Sequence, residues 1–213
     1  MNILIVEDHP MVAGLYKGVL ADFFKLNNPV IYIAADATKA HELTDGNICF
    51  SLALIDYNIP PFLQGNVKSG SDITLRIREY NRPCKVIMIT AHSEPLLIYD
   101  ILHKVYPDGL IIKSDLTSDN LCTIVEDVLM GDHYLSDTVK KCNDRIWKEN
   151  LMLDQENRKI VFYMLKGYKI KDLSTVINLS SSTIQKRIIQ MKKLLGVSEE
   201  GNLIKEFVSR GLV

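Results

Sequence analysis

Short apolar runs alternate with amphipathic stretches through residues 1–130, and this alternation restricts the fold more than any other feature. The runs are Ile3–Val6, Val30–Ala34, Leu52–Ile55, Val86–Ile89 and Leu110–Ile112. They are rich in β-branched residues and bounded by turn or charged residues, which is typical of parallel strands buried on both faces.

The stretches between the runs place apolar residues at helical spacing. Four are marked by Val12, Leu15, Val19 and Phe23; by Ile73, Ile77 and Tyr80; by Leu97, Ile101 and Val105; and by Leu121, Val125, Val128 and Leu129. Repeated βα units of this size predict an α/β fold, a five-stranded doubly wound parallel sheet.

Charge and periodicity both change along the chain. Residues 1–127 carry 10 Lys and Arg against 16 Asp and Glu, whereas the remainder carries 15 against 10. Only helical periodicity remains after Leu151. We therefore predict a domain at 1–130, a linker at 131–150 and a small all-α domain at 151–213. The basic part is a candidate polyanion binder, although modest lysine excess is also common on ordinary solvated faces.

Cellular location is constrained by cysteine spacing and hydropathy. Cys49, Cys84, Cys122 and Cys142 are widely spread, which fits neither a zinc site nor a disulfide framework. No apolar run is long enough to cross a bilayer, and the N-terminus lacks the basic segment of a signal peptide. The sequence predicts a cytoplasmic protein with no membrane partner.

Polar residues follow four of the predicted strands. Glu7-Asp8 follow the first, Asp56 the third, Thr90 the fourth and Lys113 the fifth. Because ligands of open α/β sheets bind beyond the carboxyl ends of the strands, these side chains should meet at one edge.

Three nearby carboxylates repel one another and favour a cation, and an all-oxygen cluster suits Mg²⁺. Asp56 is the best nucleophile, because an aspartate can form an acyl phosphate. Lys113 would balance charge, and Thr90 would sense a transferred phosphoryl group. The simpler reading, helix capping plus a surface ion pair, explains any one residue but not five at four strand ends.

These residues resemble the receiver domain of two-component response regulators. The matching positions are Glu7-Asp8, Asp56 within Leu-Ile-Asp-Tyr-Asn-Ile-Pro, Thr90-Ala91 and Lys113. The resemblance covers about residues 1–130 and implies a flavodoxin-like fold whose Asp56 accepts a phosphoryl group from a sensor histidine kinase. It also implies Mg²⁺ bound by Asp8, Asp56 and the main-chain carbonyl of Asn58, with Glu7 assisting.

Three positions depart from the receiver pattern. The loop 61–69 is longer than usual before Gly70, and it borders the phosphorylation site. The family's switch aromatic falls on Leu110, and Ser114 stands where many receivers carry proline.

The segment 169–195 has the pattern of a helix-turn-helix. Asn178 lies in the break, and Ser180 is a suitable N-cap for the second helix. A core stripe in that helix consists of Ile184, Ile188, Met191 and Leu195. The opposite face mixes amide, ammonium and apolar tips, as major-groove recognition requires; an ordinary amphipathic helix is the alternative.

This region resembles the LuxR-type helix-turn-helix of the NarL/FixJ class. The matching positions are Leu153, Arg158, Ile160, Gly167, Asp172-Leu173, Leu179-Ser180, Thr183-Ile184 and Leu195-Gly196-Val197. The resemblance implies base contacts from Gln185, Lys186 and Ile189. It also implies contacts to the DNA backbone from Thr183, Lys192 and Lys193. Arg187 stands where the family frequently has histidine, and we expect it to add a phosphate contact. Asn157 replaces a glutamate, which is expected to weaken the cohesion of the domain.

The sequence is thus interpreted as a DNA-binding response regulator that dimerises on phosphorylation of Asp56 and is not a turnover enzyme. Leu203, Phe207 and Val208 are candidates for part of the dimer interface or for plain core. A phosphatase would need Asp-x-Asp where the chain reads Glu-Asp-His-Pro, and Glu7-Asp8 would repel the phosphate of a flavodoxin-like cofactor. A receiver that controls DNA binding through protein contacts alone remains the main alternative.

Overall fold

The computed structural model describes residues 1–45, 48–81, 83–148, 154–198 and 200–211, with the backbone alone at 144–148 and 194. The strands are β1 (Asn2–Val6), β2 (Val30–Ala34), β3 (Leu52–Asp56), β4 (Lys85–Thr90), β5 (Gly109–Ile112) and β6 (Tyr134–Leu135). The helices up to the sixth strand are α1 (Pro10–Phe23), α2 (Ala37–Asp45), α3 (Gly70–Tyr80), α4 (Pro95–Asp100) and α5 (Ser118–Met130). A π-helical turn, Ile101–Val105, follows α4.

The later helices are α6 (Asp137–Lys148), α7 (Gln155–Leu165), α8 (Leu173–Val176), α9 (Ser181–Leu194) and α10 (Leu203–Ser209). Two compact units result, one formed by residues 1–93 and 100–140 and the other by residues 94–99 and 141–213. The predicted domain limits stay a prediction, and residues 149–153, with Leu153 of the family pattern, lie outside the described residues. Among the helices that the structure describes, none has the length and hydropathy of a membrane span.

The strands of the first unit form one parallel sheet in the order β2-β1-β3-β4-β5-β6. The predicted doubly wound fold is confirmed, but the predicted number of five strands is wrong. The extra strand, β6, pairs Tyr134 with Gly109 and Leu135 with Leu110. It begins after Gly131 ends α5 in the left-handed region, at φ 107°. Two residues are too short to produce a detectable period, so sequence pattern could not reveal this strand.

The core of the first unit lies on both faces of the sheet, and β3, β5 and nearly all of β1 and β4 are buried. The predicted helix α1 is confirmed, but its buried face consists of Ala13, Tyr16 and Leu20. Leu15 and Phe23 from the predicted stripe are exposed. The hydrophobic pattern of the sequence predicts that large aliphatic residues are buried, whereas the buried face of this helix includes the small Ala13 and the amphipathic Tyr16.

The helical unit packs around the predicted core stripe, and Ile184, Ile188, Met191 and Leu195 are all buried. The Ser180 hydroxyl accepts the Thr183 N–H at 3.2 Å, which confirms the predicted N-cap of α9. Leu203 and Phe207 are also buried in this core, whereas Val208 is half exposed. Of the three candidate interface residues, only Val208 is therefore free of the core.

Candidate functional site

The carboxyl ends of β1, β3 and β5 bring Glu7, Asp56 and Lys113 together. Lys113 Nζ donates to Asp56 Oδ2 at 2.7 Å and to Glu7 Oε1 and Oε2 at 3.2 and 3.0 Å. Both carboxylates are nearly inaccessible, with 2% of Glu7 and 4% of Asp56 exposed. One ammonium therefore bridges two buried carboxylates that lie 49 positions apart in the sequence.

The electrostatics of this trio are set by burial. Burial raises the pKa of the Asp56 carboxyl, repulsion from Glu7 adds to the shift, and the Lys113 ammonium opposes it without cancelling it. For Lys113, burial alone would lower the pKa, but hydrogen bonds to Asp56 and Glu7 outweigh burial and raise it. Lys113 is therefore held in its protonated form, and the buried Asp56 carboxylate beside it would be stabilised by a further positive charge.

Asp8 and His9 extend the cluster toward solvent. His9 Nδ1 lies 2.7 Å from Asp8 Oδ1 and 3.1 Å from Glu7 Oε1, and these acids raise the pKa of the ring, Asp8 most strongly. Possible ligand atoms of Glu7, Asp8 and His9 all lie within 4.8 Å of one another. Asp8 Oδ1 is buried, and among the described residues none donates to it in hydrogen-bonding geometry; its contact with His9 is an ion-pair distance alone. Such carboxylate-rich donors fit Mg²⁺.

The β3–α3 and β4–α4 loops complete the edge. The Asn58 N–H donates to Asp56 Oδ1 at 3.2 Å, and Asn58 Nδ2 lies 2.8 Å from His92 Nε2. The hydroxyl of Thr90, which is fully buried, accepts the His92 N–H at 3.1 Å. The structure therefore brings Thr90 and Asn58 to the edge where the sequence predicted them, and it adds His9 and His92. Sequence reasoning missed both histidines, although each lies within two residues of a predicted site residue.

Gly70 is packed against the backbone of β3, the strand that ends at Asp56. A Cβ at this position would lie 2.1 Å from the Asp56 carbonyl oxygen. The Gly70 N–H donates to the Tyr57 carbonyl at 3.0 Å. The unusual loop before it is ordered, because Phe62 and Val67 form an antiparallel bridge and Ser69 caps α3. The loop 61–69 is thus a folded hairpin whose base is fixed beside Asp56.

The predicted DNA-reading face of α9 is presented to solvent. Gln185, Lys186 and Lys193 are exposed, and Ile189 is 55% exposed although its neighbour Ile188 is buried. Thr183 and Lys192 are half-buried at the edge of this face. An isoleucine exposed to this extent on a polar face is available for apolar contact with a partner.

Arg187 lies in a different environment from the other predicted DNA contacts. Its Nη1 atom is 2.8 Å from Asp154 Oδ2 and donates to Asn157 Oδ1 at 3.0 Å. Asp154 caps α7, and although burial opposes the shift, the Arg187 guanidinium holds the pKa of this carboxyl below its usual value. The two departures from the family pattern, Asn157 and Arg187, are therefore hydrogen-bonded to each other and brace α7 against α9.

Comparison with known proteins agrees with this geometry. Residues 3–126 match the family model described as the response regulator receiver domain. The chain belongs to the response regulators. The transcriptional regulatory protein MctR of Rhizobium johnstonii is 24% identical over all of this chain and 95% of its own length. A probable transcriptional regulatory protein NarL of Mycobacterium tuberculosis is 22% identical over all of this chain and 96% of its own.

A solved structure of the two-component response regulator RcsB in complex with DNA has the same fold. It superimposes with a TM-score of 0.63 at 17% identity, covering 98% of each chain. These comparisons confirm the resemblance to response regulators of the NarL/FixJ class.

The switch region of this response regulator differs from the family pattern. Leu110 is fully buried in β5, opposite Met88 of β4, and it lacks the aromatic ring that other receivers place there. Tyr106 is exposed and left-handed, at φ 51°, before β5 begins. A buried leucine cannot swing toward solvent at low cost.

Proposed function

We propose that the chain is a DNA-binding response regulator in which phosphorylation of Asp56 by a sensor histidine kinase controls transcription. The observation that carries this proposal is the buried Asp56 carboxylate, held 2.7 Å from Lys113 Nζ. A lysine in this position balances charge on both the carboxylate and a transferred phosphoryl group.

The reaction forms one bond and breaks one. An oxygen of Asp56 bonds to phosphorus, the bond from phosphorus to the kinase histidine breaks, and the departing nitrogen keeps the electron pair. Lys113 stabilises negative charge on the phosphoryl oxygens, and the Thr90 hydroxyl donates to one of them after transfer. The chain itself accepts the group once and does not turn over substrate.

Mg²⁺ is the proposed cofactor, held by Asp8, Asp56 and the Asn58 main-chain carbonyl, with Glu7 assisting. When bound, the ion neutralises phosphoryl charge. The carboxylates of Glu7 and Asp56 share a single ammonium, which leaves a net negative charge for a cation to balance.

DNA is the proposed ligand of the helical unit. The exposed face of α9 supports base contacts from Gln185, Lys186 and Ile189 and backbone contacts from Thr183, Lys192 and Lys193. Arg187 is already paired with Asp154, which favours a bracing role over a phosphate contact. We also propose a homodimer on paired half-sites, because two linked recognition helices gain through effective concentration. A related solved structure is of two RcsB dimers on DNA.

Phosphoryl uptake tests the proposal directly. The full chain is incubated with acetyl phosphate and Mg²⁺, and intact mass is measured. The wild type and the exposed-loop control Asp132→Asn should each gain one phosphoryl group, whereas Asp56→Asn should gain none. Equal uptake by Asp56→Asn would contradict the site, and no uptake by the wild type would favour the interaction module that works without phosphorylation.

A further inference from the structure

The segment that leaves the receiver domain returns to the sheet along β5, the strand that Lys113 follows. The Tyr134 N–H donates to the Asp108 carbonyl at 3.0 Å, and the Ser136 N–H donates to the Leu110 carbonyl at 3.1 Å. Tyr134 and Ser136 lie beyond position 126, where the match to the receiver family ends. Segment 134–138 is therefore an added part of the first unit that runs along β5.

Ser136 contacts the backbone immediately before Lys113. Its side-chain oxygen accepts the Ile112 N–H at 3.2 Å, and the residue is 1% exposed. Buried polar groups that lose their partner carry a large desolvation penalty, so this bond resists displacement. Ser136 thus fixes the end of β5, from which the Lys113 side chain projects.

Asp115 lies two residues after Lys113, and both of its carboxylate oxygens contact Thr138. The Thr138 N–H donates to Oδ2 and the Thr138 hydroxyl donates to Oδ1, each at 3.0 Å. Lys113 and Asp115 begin and end a single 3₁₀ turn. Segment 134–138 therefore holds this turn from both sides, through Ser136 before Lys113 and through Thr138 after it.

We propose that Ser136 and Thr138 are positioning residues for Lys113, and that the first turn of α6 responds to the state of Asp56 through them. The inference rests on the proposed function and deepens it. Thr138 is the second residue of α6, the helix that leads toward the DNA-binding unit. A movement of Lys113 toward a phosphoryl group on Asp56 pulls on Asp115, and through it on the start of α6.

This route explains how a receiver with Leu110 in place of the switch aromatic can transmit a signal. Leu110 is buried and cannot reorient as an exposed aromatic does. The carbonyl of Leu110 is nevertheless bonded to Ser136, so the same strand that lost the aromatic contacts the start of the linker. The contact uses hydrogen bonds, which are short-ranged and respond to sub-ångström shifts.

A purely structural cap on α6 would contact Asp115 in the same way, so the experiment needs readouts beyond stability. The full chain is studied as wild type, Thr138→Val, Ser136→Ala, the conservative Thr138→Ser and the control Thr123→Val on the exposed face of α5. Uptake of a phosphoryl group from acetyl phosphate with Mg²⁺ is timed well below each melting midpoint. Hydrogen exchange of α6 is measured by mass spectrometry with and without beryllofluoride.

We expect Thr138→Val and Ser136→Ala to slow uptake by about 3- to 30-fold. This is less than the roughly 100-fold that a 1 Å misplacement can cost, because Lys113 keeps its own bonds to Asp56 and Glu7. Thr138→Ser should restore most of the rate because it keeps the hydroxyl, and Thr123→Val should match the wild type. Beryllofluoride should change the exchange of α6 in the wild type and leave it unchanged in Thr138→Val.

Wild-type rates and a wild-type exchange response in both Thr138→Val and Ser136→Ala would overturn the inference while leaving the proposed function intact. Lower melting temperatures with unchanged rates and exchange would show a structural cap and overturn it equally. Absence of any uptake by the wild type would instead overturn the proposed function, and the inference with it.

Discussion

The Lys113 ammonium lies 2.7 Å from Asp56 Oδ2, and the two residues approach each other from the ends of β5 and β3. Between these strands lies β4, so the contact spans the edge of the sheet above its middle strand. The same ammonium donates to Glu7 at the end of β1. This single cation therefore holds together the carboxyl ends of three strands and sets the charge of the proposed phosphorylation site.

Replacement of Lys113 by Met should destabilise the fold by about 1–3 kcal/mol at neutral pH, because two buried carboxylates lose their shared cation. Burial already raises the pKa of Asp56, and loss of Lys113 would raise it further. A carboxyl whose pKa is higher in the folded than in the unfolded state binds protons more readily when folded. The destabilisation caused by its buried charge is therefore present above the folded pKa and is relieved as pH falls through that value.

Urea denaturation of Lys113→Met and wild type should therefore give free energies of unfolding that converge as pH is lowered from neutral. The control is Lys17→Met, an exposed lysine on α1, which should change stability by less than about 0.5 kcal/mol. A difference in free energy of unfolding between Lys113→Met and wild type that grows as pH is lowered would contradict this account of Asp56.

Replacement of Asp8 by Ala should raise the dissociation constant for Mg²⁺ about tenfold or more, since even an outer-shell partner has an effect of this size. The measurement is titration calorimetry with Mg²⁺ on the full chain. Asp22→Ala, which removes an exposed carboxylate from α1, is the matched control and should bind as the wild type does. Equal affinity in the two variants would remove Asp8 from the metal site.

Replacement of Gly70 by Ala should cost more than about 2 kcal/mol, because the new Cβ would overlap the Asp56 carbonyl and force the strand end to move. Gly14→Ala provides the opposite case. Apart from its chain neighbours and the backbone of its own helix, no atom of the described residues lies within 4 Å of a Cβ at Gly14, which is inside α1. That change should therefore stabilise the fold by about 0.5–1 kcal/mol. Thermal or urea unfolding of both variants checks the pair, and equal effects would contradict the close approach.

Replacement of Asp108 by Ala should cost about 2–4 kcal/mol at neutral pH. Asp108 Oδ2 accepts from Arg78 at 2.5 Å and from the Val86 N–H at 2.8 Å, and Lys85 Nζ lies 3.1 Å from Oδ1. Burial alone would raise the pKa of Asp108, but these donors lower it.

Because the folded pKa of Asp108 is depressed, its stabilisation is present above the unfolded pKa of about 3.9 and is lost as pH falls through the folded value. Wild type and Asp108→Ala should therefore become more similar in acid. Asp132→Ala, at an exposed loop position, should match the wild type at each pH. A difference that does not depend on pH would show that lost packing, and not charge, explains the effect.

Replacement of Ile189 by Ala should leave stability within about 0.5 kcal/mol, whereas Ile188→Ala should cost about 2–5 kcal/mol. The two residues are adjacent on α9, but Ile188 is 5% exposed and Ile189 is 55% exposed. In a binding-site selection, Ile189→Ala should relax the preference at one base position by about 1–3 kcal/mol.

Lys193→Ala is the control for sequence readout in that selection. It should weaken binding to all DNA sequences about equally, and it should reduce the slope of log K against log salt concentration by about one. If Ile189→Ala unfolds easily yet keeps its sequence preference, Ile189 belongs to the core and not to the DNA-reading face.

The parts of the fold that arise from local pattern were predictable. Strand-sized β-branched runs located β1 to β5, and the residues following them located Glu7, Asp56, Thr90 and Lys113 at one edge. The buried stripe of α9 and its Ser180 cap also follow from spacing alone. Predictions failed where the signal was weak: β6 has two residues, and α1 buries Ala13 and Tyr16 in preference to its most apolar stripe.

The sequence by itself determined which elements form and which polar residues end the strands, because hydrophobic periodicity and capping act within a few residues along the chain. Only the tertiary structure decided which of those residues bond to one another. Lys113 and Glu7 are 106 positions apart, Thr138 and Asp115 are 23 apart, and Arg187 meets Asn157 across 30. Such pairs leave no local pattern, since their geometry is set by strand order and helix packing.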